Sequence, residues 1–251
     1  SDAGAGAAGV DLDPDEALRK TNLFVRYETK SDGTLEKAHA GDATREEVRE
    51  NLRIEHHTRF DADGATVDGR PFDEFLRGTI EFGFVDWVTR DLLYEVSETG
   101  NRSALSDLYD AIPKVDRAEL YGEVSLAYEE EGEERREQET FDVVFRDRMG
   151  NPLLVADVNA TRDPSTEETM LSLLERSNRL KESSDTLGAA FSVTSSYFEP
   201  GALETAADAT GGGLFSRGKQ RSYVRISRKR GYHLCLVETR EGNFHLNVPE
   251  L

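Results

Sequence analysis

The sequence has one cysteine, two methionines, one tryptophan and seven prolines among its 251 residues. A lone Cys235 excludes an internal disulfide framework and a zinc site built on thiolates, which suits a reducing compartment. No stretch approaches the roughly 18 consecutive apolar residues a membrane-spanning helix requires, and none reads as a secretory signal. The missing initiator Met is expected of a portion excised from a longer protein. Lysine is scarce too: only seven of the 31 cations are Lys, against 50 Asp and Glu, for a net charge of −19. The expectation is a cytoplasmic protein with no membrane partner.

The acids are spread through most of the chain, so the charge describes a surface and not a tail. Such a surface, poor in Lys, resembles that of cytosolic haloarchaeal proteins. The resemblance implies molar salt, where a Debye length of roughly 3 Å removes self-repulsion. Residues 1–16 open with Ala and Gly and read as a flexible lead-in. Residues 17–100 read as an α+β accessory region, and 101–251 as the principal domain.

The accessory region offers a strand at 23–27 and a helix from Thr44, whose side chain can cap it. Strands at 54–60 and 65–67 flank Asp61-Ala62-Asp63-Gly64 and read as a hairpin. Pro71 can open one long helix to about Val96. From Ser103 the order reads α-β-β-β-α-β with additions, giving an α/β (α+β) fold with a mixed sheet. The first helix ends at Pro113, and a strand spans 118–128. The Glu-dense run 129–139 reads as a solvated connection. Strands at 141–145 and 153–158 turn through Arg148-Met149-Gly150-Asn151. A helix capped by Asp163 comes next, then a buried strand at 187–198, a helix at 200–209, and closing strands at 222–226, 232–237 and 243–248.

Pairing about Met149-Gly150 sets Asp142 near Asp157, where opposite residues have Cβ atoms about 5 Å apart. Alternation puts Asp142, Val144, Val155, Asp157 and Asn159 on one face, and Phe141, Val143, Leu154, Ala156 and Val158 on the other. Two carboxylates this close repel unless a proton or a hard cation sits between them, and Mg²⁺ accepts such a pair. Glu119 and Glu123 either add a ligand or face water.

The run Phe141-Asp142-Val143-Val144-Phe145, then Gly150, then Leu153 through Asn159, resembles the core hairpin of the PD-(D/E)xK, or restriction-endonuclease-like, superfamily. Residues 190–198, followed by Pro200, Gly201, Ala202, Ala206 and Ala207, are similar to the later strand and helix of its Mrr-like branch. The resemblance covers roughly residues 101–230. It implies a metal-dependent nuclease architecture with Asp142 and Asp157 as metal ligands and catalytic acids. Asn159 stands where the family has its catalytic Lys, and Phe141 where it has its Pro. An amide supplies no positive charge for a phosphate, and losing one such electrostatic group costs about 10² to 10³ in rate. In some relatives the Lys comes from the next helix, which here offers Lys181 or Arg176. The resemblance thus implies a noncatalytic nucleic-acid-associated or protein-interaction module. Its alternatives are a Mg²⁺-dependent nuclease and a structural subunit of an oligomer.

Between Ala209 and Val237 there is no acid, while Arg217, Lys219, Arg221, Arg225, Arg228, Lys229 and Arg230 supply seven cations. Two readings stand for this island. It pairs with this protein's own acids or an acidic partner, or it binds a phosphate backbone, with Tyr223 and Tyr232 available for stacking. Residues 213–220 spell most of a phosphate loop, but Gln220 replaces the magnesium-binding hydroxyl, and the flanking order of helix then strand is wrong. His56 and His57 point to opposite faces of a strand and cannot share an ion. Cys235 reads as a core residue.

Overall fold

The computed structural model describes residues 9–100, 102–210 and 231–246, with the backbone of 223–225. The chain opens with Asp11–Leu12 (β1) and Pro14–Arg19 (α1). Asp13 caps α1, accepting from the amides of Asp15 and Glu16, with Pro14 preset for the first turn. The expected lead-in is therefore already regular structure before residue 16. Next come Thr21–Tyr27 (β2), Leu35–Ala40 (α2), Arg45–Asn51 (α3) and Leu52–Thr58 (β3). Thr44 and Glu47 form a reciprocal capping box on α3, as Thr44 suggests.

Two expectations fail here. β3 pairs antiparallel with β2, while Thr66–Val67 (β4) joins β1 and Arg70–Pro71 (β5) in a small separate sheet. No hairpin forms about Asp61–Gly64, because Leu52 and Ile54 bury their side chains only when β3 lies on the main sheet. The long helix is also divided, into Phe72–Arg77 (α4), Ile80–Trp87 (α5), a π-helical stretch Val88–Leu92, and Leu93–Glu98 (α6). Gly78 ends α4, and the Thr79 hydroxyl accepts from the Phe82 amide to start a new helix.

The remaining elements are Ser106–Ala111 (α7), a 3₁₀ turn Ile112–Lys114, Arg117–Leu120 (β6), Glu123–Glu130 (β7), Glu133–Thr140 (β8), Val143–Arg146 (β9), Pro152–Asn159 (β10), Glu167–Ser183 (α8), Ala189–Thr194 (β11), Pro200–Ala209 (α9), Tyr223–Arg225 (β12), Tyr232–Arg240 (β13) and Asn243–Leu246 (β14). The strand expected over 118–128 breaks at Tyr121, whose φ is +51°. The Glu-dense run is exposed as expected, yet it is the tip of a hairpin: its first two residues end β7, and from Glu133 it forms β8, paired with β7 along its whole length. Its turn, Glu131-Gly132, has positive φ at both residues, the two-residue geometry that matches strand twist. Helix α8 starts later than expected, at a capping box between Thr166 and Thr169, and not at Asp163.

Nine strands form one mixed sheet in the order β12-β13-β11-β10-β9-β6-β2-β3, with β14 on β13. β10, β11 and β13 run parallel and the other pairs antiparallel. Leaving out the β7–β8 excursion, the stretch from α7 supplies α7, β6, β9, β10, α8 and β11 in turn. Phe84 of α5 meets Phe145, Phe191 and Phe244 with ring centroids 5.8, 5.3 and 6.2 Å away. Residues 17–100 thus share both sheet and core with the C-terminal half of the chain: β2 pairs with β6, and one apolar cluster runs across residue 100. A second cluster lies on the opposite face under α8 and α9. The fold is mixed α/β in three layers.

Candidate functional site, a carboxylate cleft

The β9–β10 register pairs Val144 with Val155 and Val143 with Ala156. One step further along, Asp142 faces Asp157, and the Val158 amide donates to Asp142 Oδ2 at 2.7 Å. Val143, Phe145, Leu154 and Ala156 enter one core cluster, Val144 and Val155 the other, as alternation requires. Phe141 departs from that expectation and packs with Val144, because it lies before β9, where its amide donates to Gly122 O at 3.1 Å. Both aspartates line a cleft of about 550 Å³ with Tyr121, Asn159, Thr169 and Arg176. The cleft opens at the carboxyl ends of parallel β10 and β11, where α/β sheets place ligands.

Burial and, after it, repulsion from Asp157 push the Asp142 carboxyl up to about 6, while the Val158 amide and Arg176 pull the other way. Glu81, at the start of α5, adds to the repulsion and is itself raised by burial. The Tyr121 hydroxyl reaches Glu81 Oε1 at 3.4 Å, its amide donates to Asp142 O at 2.8 Å, and the Arg19 guanidinium lies 4.9 Å over its ring. Burial, then the charges of Glu81 and Asp142, raise the Tyr121 phenol. Positive φ at Tyr121 is what aims this ring back over the sheet end.

Arg176 reaches the cleft from α8. Its Nη1 donates to Asp157 Oδ1 at 3.3 Å and its Nη2 to Asp157 Oδ2, forming a two-pronged pair. The same guanidinium donates to Thr140 O at 2.9 Å and Ser172 Oγ at 3.2 Å, and stacks 4.7 Å from the Phe141 ring. The side chains of Arg176 and Asp157 are only 15% and 27% exposed, so the pair is shielded from solvent.

Asn159 also lines the cleft, but both ends of its amide are engaged. Its Nδ2 donates to Asp163 O at 2.8 Å and Ser165 Oγ at 3.2 Å, and its Oδ1 accepts from Thr161. Asn159 thus pins the loop before α8, and Asp163 serves that loop with its carbonyl. Lys181 is not brought to the cleft. It is buried at the C-terminal end of α8, where Nζ donates to the carbonyls of Asp185 at 3.0 Å and Leu187 at 2.9 Å. Glu119 pairs with Arg146 and Arg117, and Glu123 is exposed. Neither reaches the aspartates as a ligand.

Mg²⁺ does not fit the residues as they stand. Both oxygens of Asp157 are taken by a cation and one oxygen of Asp142 by an amide. Among the described residues no three His, Cys, Asp or Glu side chains are grouped to hold a metal ion.

Of the basic island, Arg217, Lys219, Arg221, Arg228, Lys229 and Arg230 lie outside the described residues, as does the 213–220 run. Arg225 closes β12, opposite Tyr232 of β13. His56 and His57 take opposite faces of β3, against Phe72 at 5.5 Å and Phe24 at 4.4 Å. Cys235 is core, its thiol pushed up to about 12 by burial. Sequence reasoning missed Glu81, Tyr121 and Arg19. Arg176 was legible, since it sits beside Leu173, Ser177 and Leu180 at the rim of the buried stripe of α8.

Fold and site together define a mixed α/β protein whose strand-end cleft holds an aspartate pair clamped by an arginine. The chain belongs to the family described as Domain of unknown function (DUF7527), whose model matches residues 12–251. No curated protein and no solved structure matches it. No helix among the described residues is long and apolar enough to cross a membrane.

Proposed function

We propose that this chain is a noncatalytic module of PD-(D/E)xK nuclease ancestry, associating with nucleic acid or with a protein partner. The observation that carries this reading is the Arg176–Asp157 pair: the carboxylate a nuclease would give to its metal is instead neutralised by the protein's own cation. Asn159 adds to it. At the position of the catalytic Lys stands an amide whose donors and acceptor are committed to loop 161–165. The association half of the reading rests on the seven cations of the acid-free run 209–237.

The test incubates the protein with supercoiled plasmid and single-stranded oligonucleotides in Mg²⁺ and in Mn²⁺, at low and at molar KCl. No cleavage is expected. Metal-dependent cleavage that disappears in Asp157→Ala would overturn the reading in favour of an active nuclease. An anisotropy titration with the same oligonucleotides addresses association: binding that weakens with salt and is lost in Arg228→Glu/Arg230→Glu supports the nucleic-acid arm. Equal titrations of both proteins leave the protein-partner arm, which light scattering with size exclusion reads as a stable oligomer.

A further inference from the structure

The clamp on Asp157 has more contacts than neutralising one carboxylate needs. Arg176 is fixed by a fork to both Asp157 oxygens, by Thr140 O, by Ser172 Oγ and by the face of Phe141. Asp142 stands across the strands from Asp157, with one oxygen on the Val158 amide and, among the described residues, no Arg or Lys paired to it. The net charge of the trio with both acids ionised is −1, and Arg19 over Tyr121 is the other cation lining the cleft. A guanidinium fork and a hydrated divalent cation are alternative answers to the same problem, two carboxylates held close on adjoining strands. They cannot both occupy Asp157.

We infer that Arg176 is a built-in counter-ion standing where a divalent cation would otherwise bind, so that removing its guanidinium opens a cation site on Asp142 and Asp157. The inference rests on the noncatalytic reading of the same cleft and deepens it by assigning what blocks the cation. A carboxylate pair with several retained waters is an ordinary donor set for Mg²⁺ or Mn²⁺, so the strands themselves need not move. What must change is the competition. The stem of residue 176 can stay over Phe141 when the charged end is absent, since an unbranched apolar chain covers the same ring.

The test measures Mn²⁺ binding, by the loss of the free-ion electron paramagnetic resonance signal, in the full chain and in Arg176→Gln, Arg176→Met and Arg176→Met/Asp157→Asn. Binding should tighten by about tenfold or more in the two single variants, a decade being what about 1.4 kcal/mol of relieved competition gives. It should return to the wild-type level in the double variant. If either single variant unfolds without metal, refolding on addition of millimolar Mn²⁺ supports the inference. Staying unfolded, or folding with wild-type Mn²⁺ affinity, overturns it. So does a wild-type protein that already binds Mn²⁺ through Asp157 as tightly as Arg176→Met. Plasmid cleavage by the wild type is a separate outcome: it defeats the noncatalytic reading, whereas unchanged Mn²⁺ binding in the variants defeats only this inference.

Discussion

Asp142 and His233 are shifted in opposite directions by burial, so each adds its own, opposite slope to the dependence of stability on pH. Asp142, raised to about 6 from 3.8, binds its proton more tightly when folded, so its ionised form costs stability above about 6 and the cost vanishes below about 4. Asn at this position keeps an acceptor for the Val158 amide. Asp142→Asn should therefore raise the urea midpoint near neutral pH, with the gain shrinking to nothing as the pH falls to about 4. A gain that persists undiminished in acid would count against burial and Asp157 as its cause. His233 is buried on β13 with neither ring nitrogen hydrogen-bonded among the described residues, and burial lowers it to about 4 although Asp107 lies 3.9 Å away. Its unfolded form takes the proton first, so stability is lost as pH drops from about 6.5 toward 4. His233→Leu should flatten that part of the stability profile, and a profile identical to wild type would show that other groups carry the acid response.

At the scale of elements, the contact between α7 and the sheet is set by a residue with no side chain. A Cβ built on Gly188 would lie 2.5 Å from Asp107 O, a backbone atom. Gly188→Ala should push α7 away from β11 and β13 and cost about 1–3 kcal/mol, the usual range for overpacking, read as a lower urea midpoint. An unchanged midpoint would mean that α7 is not seated as described. Elements were legible where local signals agreed with the packing, as at the Thr44 capping box, α9 and the Met149-Gly150 turn, where Gly150 has a φ of +86°. They were not legible where packing prevailed. The alternation of β3 names its buried face but not its partner, and β2 is a better one than β4 because the main sheet covers Leu52 and Ile54. The Glu-rich β8 hides its pairing behind composition, since both of its faces are wet. The cleft was half legible. Register from one turn gives Asp142 and Asp157, but the approach of Glu81, Tyr121 and Arg19 depends on long-range packing and on one positive φ that no spacing announces.

Across the whole molecule, −19 net charges on one fold make self-repulsion a term that salt controls. The thermal midpoint should rise steadily with KCl up to molar concentrations, and a midpoint independent of KCl would contradict the view that distributed acid loads this surface. Within that acidic field, the carboxylate cleft is one place where charge is answered internally, by Arg176 on the side of the second core cluster, as Arg146 answers Glu119 elsewhere. Arg176 and Asp157 form a pairwise bond and not a mere crowding of opposite charges. A double-mutant cycle on unfolding free energy, with Arg176→Met, Asp157→Asn and the pair, measures it directly. The expected coupling is favourable, about 1–3 kcal/mol, and survives molar KCl, as that of a shielded, two-pronged pair should. A coupling near zero, or one abolished by salt, would contradict it.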